Sequence, residues 1–274
     1  MRKIYYTLTA LTLSLTSCND LLDRMPDNRL VIDSPEKVQQ ALTNAYPQIA
    51  TTLINEFSSD NIDDIGADNI YSNFLTRETA YWQPILEYNN VDGLQNIWDY
   101  HYKAIGQANA ALDAIETTLH NDASLNPAKG EALVARAYAH FCLVNLFSQA
   151  YNPNTSSSDL GIPYITRPEE EMNPQRQRGT VAQVYQQIAA DLEKGLPLID
   201  DSYYQMPKYH FNKKAAYAFA ARFYLYYQQW QKALDAANVV LTTNDATTKN
   251  LVREWLDFRD AQKTGTRSIT AYAQ

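Results

Sequence analysis

The chain has 274 residues but only two cysteines, four histidines and eight glycines, and each scarcity closes off a class of function. Cys18 stands near the start and Cys142 inside the apolar helical run Ala139–Val144, so the chain carries no disulfide framework. Cys142 is expected to act as a small buried hydrophobe. His101, His120, His140 and His210 are scattered without metal-ligand spacing, and no metal is expected. No glycine-rich loop can cradle a phosphate, and no G-x-S-x-G nucleophile turn is present. Carboxylates are plentiful but no pair is singled out for acid–base work, and no cofactor is implied. Basic charge is also short. The net charge is −8, which argues against nucleic acid, where Lys and Arg must neutralise phosphates. Runs of alternating residues that would mark a sheet are missing, as is any hydrophobic span after the first 17 residues.

What is present begins at the N-terminus. Arg2 and Lys3 precede a short apolar stretch that closes with Leu15-Thr16-Ser17-Cys18. A basic start, an apolar run too short to span a bilayer and small residues before a cut describe a secretory signal. A cysteine at the cut makes residues 1–17 a bacterial lipoprotein signal, with Cys18 the lipidated first residue of the mature protein. Residues 18–33, with Pro26 among polar residues, read as an extended tether to the fold.

From residue 34 the pattern is helical. Ser34 caps a helix with Pro35 at its first position, and Val38, Ala41, Leu42, Ala45, Ile49 and Leu53 keep a helical period. A long helix is expected to open at Asp92 with a capping box to Gln95, and to run to about His120. A third runs from Asn126-Pro127 to Phe147. A fourth starts at Thr180, boxed by Gln183, and ends before Pro197. Two more cover 215–228 and 231–243. In them Ala220, Ala221, Tyr224, Trp230, Ala233 and Ala237 sit as in a tetratricopeptide helix pair, where small residues permit close approach. Trp98 and Trp230 are expected in the core. The fold class is therefore all-α, with tetratricopeptide-like pairs and long irregular loops. Tyrosine is abundant, at 20 residues beside four Trp and eight Phe; it suits core packing, sugar stacking or partner binding equally.

Several blocks resemble one family. Cys18-Asn19-Asp20-Leu21-Leu22-Asp23 with Pro26 looks like the mature start of SusD/RagB-family lipoproteins of Bacteroidetes. Gly130-Glu131-Ala132 through Arg136-Ala137 to Phe141 resembles the family's G-E-A-x-x-x-R-A-x-x-x-F helix, and Leu160-Gly161-Ile162-Pro163-Tyr164 its G-x-P loop. Arg178-Gly179-Thr180-Val181 through Val184-Tyr185 and Ile188 to Asp191-Leu192 resembles another block, and Lys214 to Leu225 the helix after it. The resemblance implies a non-enzymatic, lipid-anchored protein on the outer face of the outer membrane. Such proteins cap a SusC-like TonB-dependent transporter, capture an oligosaccharide, or in some members a peptide, and pass it inward. It also implies ligand contacts in the region before the long helix. There Asp68, Asn69, Tyr71, Arg77, Tyr81 and Trp82 are the candidate residues, the aromatics stacking and the polar groups taking hydroxyls. The adjoining run Asp60–Asn69 departs from a calcium loop, because Ile65 falls where an oxygen ligand is needed if Asn61 opens it. Family members are usually longer than this chain, which stops soon after the repeat pair. The expectation is that residues 34–274 form the helical domain without the family's irregular C-terminal part. Two other readings stay open: a lipid-anchored scaffold that binds protein or peptide, and a surface glycosidase, which the scaffold resemblance disfavours.

Overall fold

The computed structural model describes residues 31–63, 66, 73–86, 90–169 and 175–241. The signal segment, Cys18 and most of the tether lie outside the described residues. Contacts divide the chain into Met1–Ile32 and Asp33–Gln274, and every described helix belongs to the second unit. These are α1 (Pro35–Thr43), α2 (Thr52–Phe57), α3 (Phe74–Ala80), α4 (Leu94–Thr117), α5 (Asn126–Phe147), α6 (Val181–Gly195), α7 (Lys213–Tyr226) and α8 (Trp230–Val240). Short 3-10 turns stand between them. Among the described residues the β pairing is a single bridge between Leu160 and Thr180.

Local chemistry sets most boundaries. The Ser34 hydroxyl accepts from the Lys37 amide, and Pro35 occupies the first turn of α1. Thr180 and Gln183 close the full capping box of α6. Two expectations fail. The helix expected across residues 34–53 breaks into α1 and α2, because Pro47 disfavours helical backbone before it and offers no amide. The Asp92 box does not form either: Gly93 is the N-cap of α4, and Gln95 donates instead to Asp99 at 2.9 Å.

α5 is the centre of the body. It packs in pairs with α4 and with α6, while α7 pairs with α8. α5 and α6 run antiparallel. Gly130, early in α5, faces Gly195 at the end of α6, while Tyr185 near the start of α6 donates to Asn145 near the end of α5. The core joins Ile105 of α4, Val134, Phe141 and Val144 of α5, Ile188 and Leu192 of α6, and Phe219 and Phe223 of α7. Tyrosines supply much of the packing. Tyr185 stacks on Phe223 at 5.6 Å between ring centres, and Tyr151 meets both Tyr185 and Tyr227 at 4.9 Å. In the repeat pair Ala220, Ala233 and Ala236 are buried against the neighbouring helix. Trp98 is half-buried, edge-on to Phe147 at 5.0 Å. Trp230 is not core: it opens α8 on the solvent side, 62% exposed.

α5 also carries three buried polar side chains, Glu131, Arg136 and His140, each with partners far away in sequence. Arg136 forms two parallel bonds to Asp191 of α6, Nε to Oδ2 at 2.7 Å and Nη2 to Oδ1 at 2.6 Å. Its third nitrogen, Nη1, donates to Asn109 of α4 at 2.9 Å and to the Thr166 carbonyl at 3.2 Å. Tyr164 donates to Asp191 at 2.6 Å; burial and that carboxylate push its hydroxyl well above the ordinary range, so it stays a donor. His140 accepts from the Ile165 amide at Nε2, 3.1 Å, which makes Nδ1 the donor to the Arg136 carbonyl. The irregular segment 160–167 is thereby strapped across three helices. Glu131 makes a second junction. It accepts from Tyr46, in the turn after α1, and lies 2.8 Å from Nδ1 of His210.

Burial pushes the His140 imidazole down to about 3 from an ordinary 6.5. Between those values the unfolded chain holds a proton that the folded chain does not, so stability falls as pH drops through this window. The loss is about 1.4 kcal/mol per pH unit below about 6.5. Urea midpoints measured at pH values stepping down through the upper part of this window should show that slope. His140→Gln, which keeps an acceptor for Ile165, should flatten it.

Candidate functional site

The described part of the candidate surface is one short helix and its exit. Asn73 caps α3 by accepting from the Thr76 amide at 2.8 Å. Leu75 points inward, where it packs with Ile54 and Ile97. The C-terminus closes with two backbone bonds, from the Trp82 amide to the Thr79 carbonyl at 3.1 Å and from the Gln83 amide to the Glu78 carbonyl at 2.8 Å. This is a Schellman end, and it places Trp82 in the left-handed position with φ at 54°. Glycine is favoured there, because a side chain costs about 1–2 kcal/mol in that conformation. A tryptophan in its place is uncommon. Its ring gains little burial in return: Trp82 is 79% exposed.

Arg77, Tyr81 and Trp82 are thus brought together on the last turn of α3 and its cap, all exposed. The Arg77 guanidinium lies over the Phe74 ring, 5.6 Å from its centre. The chain beyond Trp82 is held by Glu78, which accepts from the Leu86 amide at 2.9 Å. Asp68, Asn69 and Tyr71 lie outside the described residues, as does half of the acidic run Asp60–Asn69.

Sequence reasoning missed a cleft of about 580 Å³ between the end of α5 and the 158–160 turn. Phe147 and Leu160 form its apolar wall; Gln149, Asp159 and Arg178 line it with polar groups. Arg178 also holds the turn, donating to the Gly161 and Leu160 carbonyls. Leu146 and Phe147 pack on the same cluster as Leu75 and Ile85, so the cleft and the Trp82 cap share one end of the α4–α5 pair. A second cleft, of about 600 Å³, lies at the other end of α5, lined by Pro127, Asp200 and Asp201. Its carboxylates are occupied by backbone: Asp200 accepts from the Ser202 amide and Asp201 from the Lys213 amide. Among the described residues no group of His, Cys, Asp and Glu could hold a metal ion. Burial pushes the Cys142 thiol up to about 11, away from thiolate chemistry. No described helix is long and apolar enough to cross a membrane.

Comparison with known proteins decides the family. A SusD-like profile, described as "Starch-binding associating with outer membrane", matches residues 20–225. The chain belongs to the SusD-like family. A SusD-like protein P2 of Formosa agariphila is 24% identical, aligning 96% of this chain with 51% of its own length. A SusD superfamily protein of Bacteroides thetaiotaomicron has a similar structure: TM-score 0.60, 26% identity, 77% of this chain and 46% of that one. A laminarin-binding SusD-like protein is similar at a TM-score of 0.56 and 19% identity, over 76% of this chain and 43% of that one. The chain spans about half the length of the curated relatives it matches. The all-α, tetratricopeptide-like class read from the helical pattern is that of these SusD superfamily structures.

Proposed function

We propose that this chain is a non-catalytic glycan-binding lipoprotein of the outer membrane. The carrying observation is Trp82, a large aromatic surface held exposed at a backbone position that glycine would fill at lower cost. A sugar ring offers that surface the apolar contact that the fold does not, and Arg77, exposed on the last turn of α3, carries donors for hydroxyls. Tyr81 extends the platform, and Asp68, Asn69 and Tyr71 stand just before it in sequence. The family description supports starch-like ligands, and a laminarin-binding neighbour supports glucans more broadly. In this reading residues 1–17 are the signal, Cys18 carries the lipid, residues 18–33 are the tether, and a SusC-like TonB-dependent transporter receives the ligand.

Calorimetric titration with maltohexaose and laminarihexaose tests the reading. Trp82→Ala should weaken binding about tenfold or more, equivalent to about 1.4 kcal/mol. Trp82→Gly should lose the same affinity while holding or gaining stability, by up to about 1 kcal/mol, because it removes the left-handed penalty. Unchanged affinity in both variants removes Trp82 from the site.

A further inference from the structure

The cleft at the end of α5 selects among ligands by its composition. Its volume, about 580 Å³, lies within the usual range for small-molecule sites, about 300–1,000 Å³. The apolar wall is Phe147, the last residue of α5, and Leu160, which is 59% exposed. Both gain from apolar surface laid against them. The polar side is held in place by the fold. Arg178 directs Nε and Nη2 to the Gly161, Leu160 and Phe147 carbonyls, which fixes the guanidinium plane and leaves Nη1 available as a donor. Among the described residues the Asp159 carboxylate and the Gln149 amide make no side-chain bond. Ser148 leaves α5 in extended backbone, and its shielded hydroxyl finds no partner among them either.

Charge narrows the choice. An anion drawn to Arg178 also meets Asp159 and the negative end of the α5 dipole. A cation drawn to Asp159 meets Arg178. A neutral ligand avoids both repulsions. Its hydroxyls can accept from Arg178 and donate to Asp159, while an apolar ring face lies on Phe147 and Leu160. A pyranose ring divides in that way, with hydroxyls around its rim and C–H groups on its faces.

We propose that this cleft is a second carbohydrate subsite, taking a neutral sugar unit apart from the Trp82 platform; the ligand class rests on the glycan reading above. The test is a titration of the full chain, labelled with nitrogen-15, with maltohexaose and with laminarihexaose. The signals followed are the backbone amides of residues 147–149 and 158–161 and the Trp82 indole. At least one of the two glucans should shift both sets, and the cleft shifts should persist in Trp82→Ala. In Asp159→Ala/Leu160→Ser the cleft response should weaken about tenfold or more, while the Trp82 indole still responds and reports a folded chain. A response at the cleft alone keeps the proposal and removes Trp82 from the site. A response at Trp82 alone overturns the proposal and leaves the glycan reading standing. Cleft shifts that survive the double substitution at full strength overturn it too, because they arise elsewhere. Sodium phosphate or calcium chloride moving the cleft signals where neither glucan does assigns the cleft to an ion. Silence of both sets with both glucans overturns the two readings together.

Discussion

Arg136→Met should lower the free energy of unfolding by about 3–5 kcal/mol, the largest loss expected from any single change here. The substitution matches length and packs well, so lost volume is not the cause. It leaves the buried Asp191 carboxylate with only the Tyr164 hydroxyl, and it takes the donor from Asn109 and Thr166. A charge stranded at this depth costs more than the pair itself contributes, because an intact buried pair roughly balances its attraction against its desolvation. The double variant Arg136→Met/Asp191→Leu tests that division. It removes both charges and should recover most of the loss, ending within about 2 kcal/mol of the unaltered chain. Urea unfolding with unchanged slope gives both numbers. If the double variant is as unstable as the single one, the cost lies in the strap's hydrogen bonds and not in the stranded charge.

Gly130→Ala should cost about 1–3 kcal/mol, although alanine is the better helix former. A Cβ at Gly130 would lie 2.8 Å from the Gly195 carbonyl oxygen and 2.9 Å from Cβ of Leu198. The first of these is backbone and cannot rotate away, so α5 and α6 must separate. The propensity gain of about 1 kcal/mol is too small to offset that. Gly106→Ala is the matched control. It lies inside α4 with nothing within 4 Å of the added atom, so only the propensity term remains and stability should rise by about 1 kcal/mol. Urea midpoints of opposite sign for the two variants would separate helix propensity from helix contact. Equal signs would show that the α5–α6 approach tolerates a methyl group.

The helices were legible where their signals are local. Ser34-Pro35, Asn126-Pro127 and Thr180 with Gln183 each carry their boundary within a few residues, and all three stand where expected. Pro47 was equally local, yet the apolar period running through it suggested one helix where two form. Trp230 misled because helical spacing places it on a face without saying whether a neighbour covers that face. The polar junctions were harder to see. Arg136 and Asp191 are 55 residues apart, and Glu131 and His210 are 79 apart, so no spacing rule joins them. A signal did exist: charged residues on a helix apolar on almost every side must find partners. Of the candidate residues, the strained backbone of Trp82 left no trace in the sequence, because the glycine that usually marks such a helix end is missing.

The strap across α5 has a consequence for how this chain breathes. Residues 160–167 have almost no regular secondary structure, and a survey of helices alone would rank them among the first to open. Their anchors say otherwise. The Ile165 amide ends on a buried imidazole, the Ile165 and Arg167 carbonyls on Asn109, and the Thr166 carbonyl on Arg136. Releasing that amide to solvent exposes the Arg136–Asp191 pair together with it. Its hydrogen exchange should therefore proceed only with unfolding of the whole body, as slowly as the middle of α5 and far more slowly than the exposed first turn of α8.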